Sequence, residues 1–441
     1  MTHFTAHEWG RVAVGDGGIF SRAEANALLG AARRHEFAGP DGTDILCDHN
    51  TYLRARQMVG VIAGKDCSLE ILPKIDRDSP TEETATVRSR LVHMLDVALG
   101  LNISAGEAAS MAHRADSLLE VFVSLFADRF LAEVRRGLPR EYSEHTDDLP
   151  ALRGRLDIIR QFTRNAVRPD RLSCRFDALH SDTSLMRVMK ACVLLLTRHA
   201  RTAGAQRKLA ELRLLLSDVA DVPLSQLPWS TIVIDRTNRR WKDLLDLARL
   251  LLGARWQQTH ADEFQPSGIT LLFPMNDLFE RYIAIQLRRA LVGTGLEVIA
   301  QGGFECCLGD YSPDVICRGR LFRTKPDIII RDHTRVLVVI DTKWKRLASD
   351  PLNAKHGVAQ SDVYQLMAYA RLYGCKRLML LYPAASDEAG GVRRSNGIAK
   401  GNERLDFATV AVSAGGRAVV SQLRQFLECE TRVGELQQLA S

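Results

Sequence analysis

Two aspartates and a lysine lie at the ends of two apolar segments near residue 330. Asp327 precedes the apolar run 328–330, and the run 336–340 is followed by Asp341 and Lys343. Two β-branched runs separated by a short polar break predict a β-hairpin. The second run is apolar without alternation, which indicates a strand buried on both faces. The hairpin therefore brings two carboxylates and an ammonium group to one strand end.

The register of this hairpin decides whether the carboxylates meet. If the turn is centred on Thr334, Asp327 lies directly opposite Asp341, with Cβ atoms roughly 4.5–5.5 Å apart. Lys343 is two residues further along and points to the same face. Two neighbouring carboxylates repel each other, and a divalent cation removes that repulsion. Hard oxygen ligands with room for water suit Mg²⁺ or Mn²⁺; the alternative is an ordinary hairpin with a surface ion pair.

The hairpin pattern resembles the PD-(D/E)xK nuclease superfamily. Pro326-Asp327 and Asp341-Thr342-Lys343 match the two halves of its motif. The resemblance implies that Asp327 and Asp341 hold a metal ion and that Lys343 orients or activates the attacking water. A bound metal lowers the pKa of water and stabilises charge on a phosphate. Lys343 adds a positive charge beside the developing anion.

A helix upstream of the hairpin carries a third candidate carboxylate. The segment from Asn276 to Leu291 contains no Gly or Pro, which favours a helix. Glu280 falls on its apolar stripe, where a carboxylate needs a partner. One alternative is an ion pair with an arginine at the helix end. The other is a third acidic residue at the metal, as in many enzymes that this region resembles.

A helix downstream of the hairpin is predicted over residues 358–373. Asp362, Gln365 and Tyr369 share one face at helical spacing. This pattern is typical of a polar helix face with a satisfied tyrosine. However, Gln365 and Tyr369 also resemble the glutamine–tyrosine motif that follows the catalytic lysine in RecB-like superfamily members. That resemblance implies a supporting catalytic role for Gln365.

The bulk composition is that of an ordinary soluble protein. The 441 residues, 46% hydrophobic and 25% charged, allow two or three domains with sizeable cores. The net charge of +6 permits nucleic-acid binding without arguing for it. The nine cysteines form no CxxC pair, so neither a zinc ribbon nor a disulfide framework is indicated. With no signal peptide and no membrane-length apolar run, we expect a cytoplasmic protein.

Three regions are predicted around these residues. Residues 1–80 are β-rich, with a capping box at Ser21 and Glu24 and a hairpin from strands 58–63 and 67–72. Residues 81–265 are mainly helical, and residues 266–441 contain the hairpin of the site. Within the helical region, segments 152–157 and 174–177 are less regular and are either short strands or partner-contacting loops. Residues 384–402 are predicted to form a long polar loop.

Taken as a whole, the chain resembles McrC, the nuclease subunit of McrBC-type modification-dependent restriction systems. The resemblance lies in short stretches along nearly the full length: 59–62, 69–75, 153–157, 174–177, 182–183, 275–280, 325–327 and 341–345. It implies an α/β multidomain chain with a β-rich N-terminal region, a helical middle region and a C-terminal PD-(D/E)xK restriction-endonuclease-like domain. It also implies that the chain cuts DNA, and that its N-terminal part docks into a McrB-like AAA+ GTPase hexamer whose hydrolysis it stimulates.

The chain has no G-x-x-x-x-G-K-[ST] motif, so a P-loop of its own is not predicted. This agrees with nucleotide hydrolysis by a partner. Two other functions stay open: a self-sufficient DNA-repair or mobile-element nuclease of the RecB-like type, and a non-catalytic assembly factor that uses the nuclease fold as a scaffold. The intact Asp327, Asp341 and Lys343 argue against the scaffold.

Overall fold

The computed structural model describes residues 2–64, 66–74, 83–103, 117–253, 269–310, 319–333, 335–347, 357–385 and 388–438. The strands in these ranges are β1 Thr2–His7, β2 Arg11–Ala13, β3 Leu46–Asp48, β4 Tyr52–Ala55, β5 Met58–Ala63, β6 Cys67–Leu72, β7 Glu141–Leu149, β8 Arg155–Leu156, β9 Leu172–His180, β10 Ile269–Pro274, β11 Glu297–Ala300, β12 Cys306–Leu308, β13 Leu321–Arg323, β14 Ile328–Asp332, β15 Arg335–Thr342, β16 Arg377–Pro383, β17 Gly391–Gly397 and β18 Arg404–Val410. The helices are α1 Arg22–Arg33, α2 Thr84–Leu99, α3 Leu118–Arg135, α4 Ile158–Thr163, α5 Ser184–Thr197, α6 Ala203–Leu215, α7 Lys242–Leu251, α8 Met275–Ala290, α9 Gln360–Tyr373 and α10 Gly416–Gln438. None of the helices in these ranges is long and apolar enough to cross a membrane.

The N-terminal sheet has the strand order β1-β6-β5-β10. The predicted hairpin is confirmed, because β5 and β6 pair antiparallel. The outer strand β10 comes from beyond the helical region and pairs antiparallel with β5. Gly60 permits this close pairing: it has φ +133°, and a Cβ there would lie 1.8 Å from Leu271 O. The sheet therefore joins residues on both sides of the predicted boundary at 265/266.

Helix α1 packs against this sheet, and its start was predicted correctly. Ser21 and Glu24 form the capping box, with Glu24 accepting the Ser21 backbone N–H at 2.9 Å. The sequence predicts that this helix runs through Phe37, but it ends at Arg33 and a 3₁₀ turn follows over Glu36–Ala38. A small sheet in the order β2-β4-β3 completes this region.

The middle region buries its apolar stripes in one core. Helices α2, α3, α5, α6 and α7 contribute to a cluster that also includes α8 and one face of the C-terminal sheet. Phe130 contacts both Phe126 and Trp241 edge-on, with ring centroids 5.6 and 5.9 Å apart. The amphipathic stripes of these helices are therefore core positions.

A three-stranded sheet in the order β7-β9-β8, together with α4, forms what we call the ribbon, residues 141–180. Of the segments left open as strands or loops, 174–177 lies within β9, and 152–157 is a loop apart from the two-residue strand β8. Apolar side chains on the ribbon are exposed instead of buried: Tyr142, Leu152, Leu156, Ile158, Ile159, Phe162, Val167 and Leu179. A concentration of exposed apolar groups marks an interaction surface.

The C-terminal sheet has the order β11-β14-β15-β16-β18-β17. Ile328, Ile330 and Val338 face α8 and α10, whereas Ile329 and Val339 face α9. Because side chains alternate between the faces, an apolar run without alternation is buried on both sides. Helices therefore cover both faces of this sheet.

The prediction of a long loop over residues 384–402 was wrong. Residues Gly391–Gly397 form β17, which pairs antiparallel with the edge of β18. Its side chains are mostly exposed and polar, and Arg393 Nε donates to Thr409 Oγ1 at 2.9 Å. Edge strands need no apolar face on their outer side, so composition alone did not reveal this one.

Candidate active site

The hairpin β14–β15 has the register that the sequence predicted. Ile328 pairs with Ile340 and Ile329 with Val339, which places Asp327 opposite Asp341 one step beyond the ladder. Thr334, the predicted turn centre, lies outside the described residues. The register shifts after Ile330, so the irregularity lies at the turn end, away from the carboxylates.

Asp327 is held at the strand end by the residue that follows its opposite carboxylate. The Thr342 backbone N–H donates to Asp327 Oδ2 at 2.7 Å, and Thr342 Oγ1 donates to the same oxygen at 2.9 Å. Two donors on one oxygen fix the carboxylate orientation. The sequence analysis gave Thr342 no role of its own; a side-chain hydroxyl between two site residues was the available signal.

Asp341 is nearly fully buried, with 1% of its surface exposed. Lys343 Nζ lies 2.7 Å from Asp341 Oδ2, while Oδ1 has no hydrogen-bond partner among the described residues. Burial, with the neighbouring charge of Asp327, raises the pKa of Asp341 to about 6. A buried carboxylate with one unpaired oxygen is costly to maintain, and a cation bound at that oxygen would offset the cost.

Lys343 keeps its positive charge in this environment. Burial lowers the pKa of Lys343, but the contact with Asp341 and the charges of Asp327 and Asp362 outweigh that effect. Its net pKa therefore lies above the ordinary lysine value. A lysine of this kind donates hydrogen bonds and stabilises negative charge.

Glu280 is brought to the same place by α8. Burial, followed by the charge of Asp327, raises the pKa of Glu280 to about 7, and Gln301 donates a side-chain hydrogen bond to it. Its Oε1 has no hydrogen-bond partner, and no ion pair with an arginine occurs among the described residues. The structure thus places Glu280 within electrostatic reach of Asp327 and, among the described residues, provides no arginine partner of the kind that the alternative interpretation needs.

Gln365 reaches the site through Tyr369. Gln365 Nε2 donates to the Tyr369 hydroxyl at 2.9 Å. Burial raises the pKa of Tyr369, and the charges of Asp341 and Asp327 act in the same direction. Tyr369 therefore lies close to both aspartates, and Gln365 is exposed one step further out. Asp362 on the same helix pairs with Lys345 at 3.2 Å.

Trp344 is a site neighbour that sequence reasoning did not single out. Its backbone N–H donates to Asn276 Oδ1 at 3.2 Å, and its ring meets Phe279 edge-on at 5.3 Å. Both contacts lie on α8, the helix that carries Glu280. An apolar residue directly after the lysine was the only sequence signal.

The donor set fits a hard divalent cation held largely by water. Within the described ranges, no three His, Cys, Asp or Glu side chains converge into a ready metal cluster. Asp327 and Asp341 nevertheless provide two carboxylates at one strand end, and Asp341 Oδ1 and Glu280 Oε1 are buried without partners. Mg²⁺ commonly binds one or two protein carboxylates and keeps several waters. Glu280 as a third ligand stays a prediction.

An α/β sheet covered by helices on both faces, with paired aspartates and a lysine at adjacent strand ends, has the features of the restriction-endonuclease-like class. The family described as McrBC 5-methylcytosine restriction system component matches residues 53–383. The chain therefore belongs to the McrBC family and is a component of such a restriction system, which confirms the resemblance found in the sequence.

Individual relatives are distant. The chain is 21% identical over 308 residues to the type IV methyl-directed restriction enzyme EcoKMcrBC of Escherichia coli K12, covering 68% of this chain and 83% of the relative. A chain in the half-complex of Thermococcus gammatolerans McrB AAA+ hexamers with bound McrC matches with TM-score 0.73 and 22% identity, covering 96% of this chain and all of that one. The cryo-EM structure of the Thermococcus gammatolerans McrBC complex matches with TM-score 0.53 and 27% identity, covering 66% of this chain and 88% of that one. The α/β multidomain fold predicted from the sequence is thereby confirmed.

Proposed function

We propose that this chain is the DNA-cutting subunit of a McrBC-like, modification-dependent restriction system of the cytoplasm. It hydrolyses DNA phosphodiesters with a divalent metal when a AAA+ GTPase hexamer activates it. The observation that carries the proposal is Asp341, buried with one unpaired oxygen, beside Lys343 and opposite Asp327. Membership in the McrBC family supports the choice of DNA and of restriction.

Each residue then has a chemical task. Asp327 and Asp341 would hold Mg²⁺ or Mn²⁺, with Glu280 as the third acidic group. The chemistry that such an ion supplies is activation of water and stabilisation of charge on the phosphate. Lys343, which stays protonated, donates hydrogen bonds to the reacting phosphate oxygens. Glu280, with a pKa of about 7, is suited to accept a proton at neutral pH.

The partner follows from two observations. The chain has no P-loop motif, and a similar solved structure contains McrB AAA+ hexamers with bound McrC. We therefore propose that a McrB-like GTPase hexamer binds this chain. Residues 1–80 stay a predicted docking region, and the exposed apolar side chains of the ribbon make it a second candidate surface.

The test is cleavage by the full-length chain mixed with its ring-forming partner, GTP and DNA that carries 5-methylcytosine. Cutting should require Mg²⁺ or Mn²⁺ and stop with excess chelator. Ca²⁺ should support cutting poorly, because it prefers a looser coordination geometry. Full activity in excess chelator would refute the metal-dependent mechanism.

The alternative is a self-sufficient nuclease of the RecB-like type. The Gln365–Tyr369 hydrogen bond favours it, because that pair matches a RecB-like pattern. The two functions differ in their need for a partner. Robust cutting of unmodified DNA by this chain alone would favour the self-sufficient nuclease.

A further inference from the structure

The tryptophan that follows Lys343 is bonded to the N-terminal region. Trp344 Nε1–H donates to Glu8 Oε2 at 3.1 Å, across 336 positions of sequence. Glu8 is 2% exposed and Trp344 is 5% exposed. A carboxylate in such an environment costs stability unless it is well paired. Stability alone therefore does not explain why a carboxylate is buried at this position.

Glu8 is only partly satisfied where it lies. It directly follows β1, and its backbone N–H donates to Leu72 O at the end of β6. Its Oε2 also accepts the Lys74 backbone N–H at 3.1 Å, while Oε1 has no hydrogen-bond partner among the described residues. A buried and half-satisfied carboxylate is retained where it has a task. Among the described residues, the side chain that bonds to it is the indole of Trp344.

The other end of this contact is the candidate active site. The Lys343 backbone N–H donates to Leu381 O at 3.0 Å, which fixes the strand just before Trp344. Trp344 in turn contacts Asn276 and Phe279 on α8, directly before Glu280. Moving the indole would therefore shift the backbone next to Lys343 and the first turns of α8.

A second connection joins the same two regions. Strand β10 belongs to the N-terminal sheet and continues without a loop into α8 at Met275. The Met275 backbone N–H also donates to Gln57 O, just before β5. The N-terminal sheet thus reaches the site both through the chain and through the indole of Trp344.

We propose that Glu8 is a positioning residue for the nuclease site: through Trp344 it sets where Lys343 and the start of α8 lie. The inference rests on the proposed nuclease function. The N-terminal region is then part of the catalytic unit as well as a region that contacts other molecules. Misplacement of a catalytic group by about 1 Å can lower a rate about 100-fold.

The experiment measures single-turnover cleavage by the full-length chain with its partner, per folded molecule. Glu8→Ala removes the acceptor, and Trp344→Phe removes the donor together with part of the indole volume while keeping an aromatic ring. Each should lower the cleavage rate about tenfold or more. Glu8→Gln keeps an acceptor oxygen and should stay within about threefold of wild type. The Glu8→Ala/Trp344→Phe double variant should be no slower than the slower single variant, because both remove one interaction.

Glu70→Gln is the matched control. Glu70 is a fully buried carboxylate on β6, but its partners are Arg88, Thr5 and the Leu118 backbone N–H. Its substitution should lower the melting temperature and leave the cleavage rate per folded molecule unchanged. An equal fall in rate for Glu70→Gln would mean that Glu8 acts through general stability, which overturns the proposal.

A spectroscopic readout separates this inference from the proposed function. The Trp344 indole proton, assigned by its loss in Trp344→Phe, should shift in the nitrogen-15 spectrum of Glu8→Ala and far less in Glu8→Gln. If wild type cuts DNA and Glu8→Ala cuts equally fast, the positioning role is wrong while the nuclease function stands. If wild type cuts no better than Asp341→Ala, the nuclease function itself is wrong.

Discussion

The candidate site and the ribbon use their carboxylates in opposite ways. At the site, burial raises the pKa of Asp341 to about 6 and that of Glu280 to about 7. In the ribbon, hydrogen bonds from Ser173 and Asn165 lower the pKa of Asp148. The pKa of Asp157 is also lowered, by the Arg160 backbone N–H and the Arg175 side chain.

This difference separates acids that are paired within the chain from acids that are not. The ribbon acids have their donors and cations within the chain, so they are satisfied in the isolated protein. Among the described residues, Asp341 Oδ1 and Glu280 Oε1 have no hydrogen-bond partner, and the ion pair of Asp341 is with Lys343. The apolar side chains also differ between the two regions: they are buried around the site and exposed on the ribbon. These differences support our proposals of a cation and phosphate site in the first region and of a protein-contacting surface in the second.

The largest effect is expected from removing the charges of the candidate site, which tests whether its acids and lysine have a catalytic role. Asp341→Ala and Lys343→Ala should each lower DNA cleavage by about 10²–10³-fold, because each removes an interaction used mainly in the transition state. Binding of the GTPase partner and its stimulated hydrolysis should persist, since both candidate docking surfaces, residues 1–80 and the ribbon, are unchanged. Near-normal cutting by both variants would show that the residues are structural.

The reciprocal change places a charge on the ribbon. Phe162→Glu should reduce stimulation of the partner's GTP hydrolysis at least about tenfold, because a charge replaces an apolar contact. The fold should be unaffected, since Phe162 is 74% exposed. Leu214→Glu on α6, at an equally exposed position, is the control and should leave stimulation unchanged.

Residues 1–80 provide the competing outcome for this experiment. Trp9 is an exposed aromatic side chain in that region. If Trp9→Glu abolishes stimulation and Phe162→Glu does not, docking occurs through residues 1–80 and the ribbon has another use.

A smaller effect is expected at the edge of the site. Glu280→Gln and Gln365→Ala should each slow cleavage about tenfold, because one removes an acidic group and the other removes the donor to Tyr369. Melting temperatures measured alongside give the control. A change in melting with an unchanged rate per folded molecule would assign either residue a structural role only.

The smallest expected effect is on thermal stability, and it tests the raised pKa of Glu280 directly. The folded protein favours protonated Glu280, so wild-type stability falls as pH rises from about 4.5 to about 7. The Glu280→Gln side chain cannot ionise. In metal-free buffer, the melting temperature of this variant should therefore rise relative to that of wild type across this window, by roughly 1–3 °C at pH 8. A difference that is constant from pH 5 to pH 8 would contradict the raised pKa.

Sequence alone determined the parts of the site that depend on local order. Asp327, Asp341 and Lys343 lie within one hairpin, and its short turn sets the register that makes the two aspartates face each other. The capping box of α1 and the β5–β6 hairpin were equally readable, because their contacts span few residues. Hydrophobic periodicity and turn-forming residues are sufficient to predict features of this kind.

Only the tertiary structure decided what meets across long separations. Nothing local indicates that Glu8 contacts Trp344, that β10 returns to the N-terminal sheet, or that Glu280 approaches Asp327 instead of an arginine. A polar edge strand such as β17 has no apolar face to reveal it. These features depend on how separate elements pack in three dimensions, where a residue's partner is set by the whole core and leaves no periodic pattern in the chain.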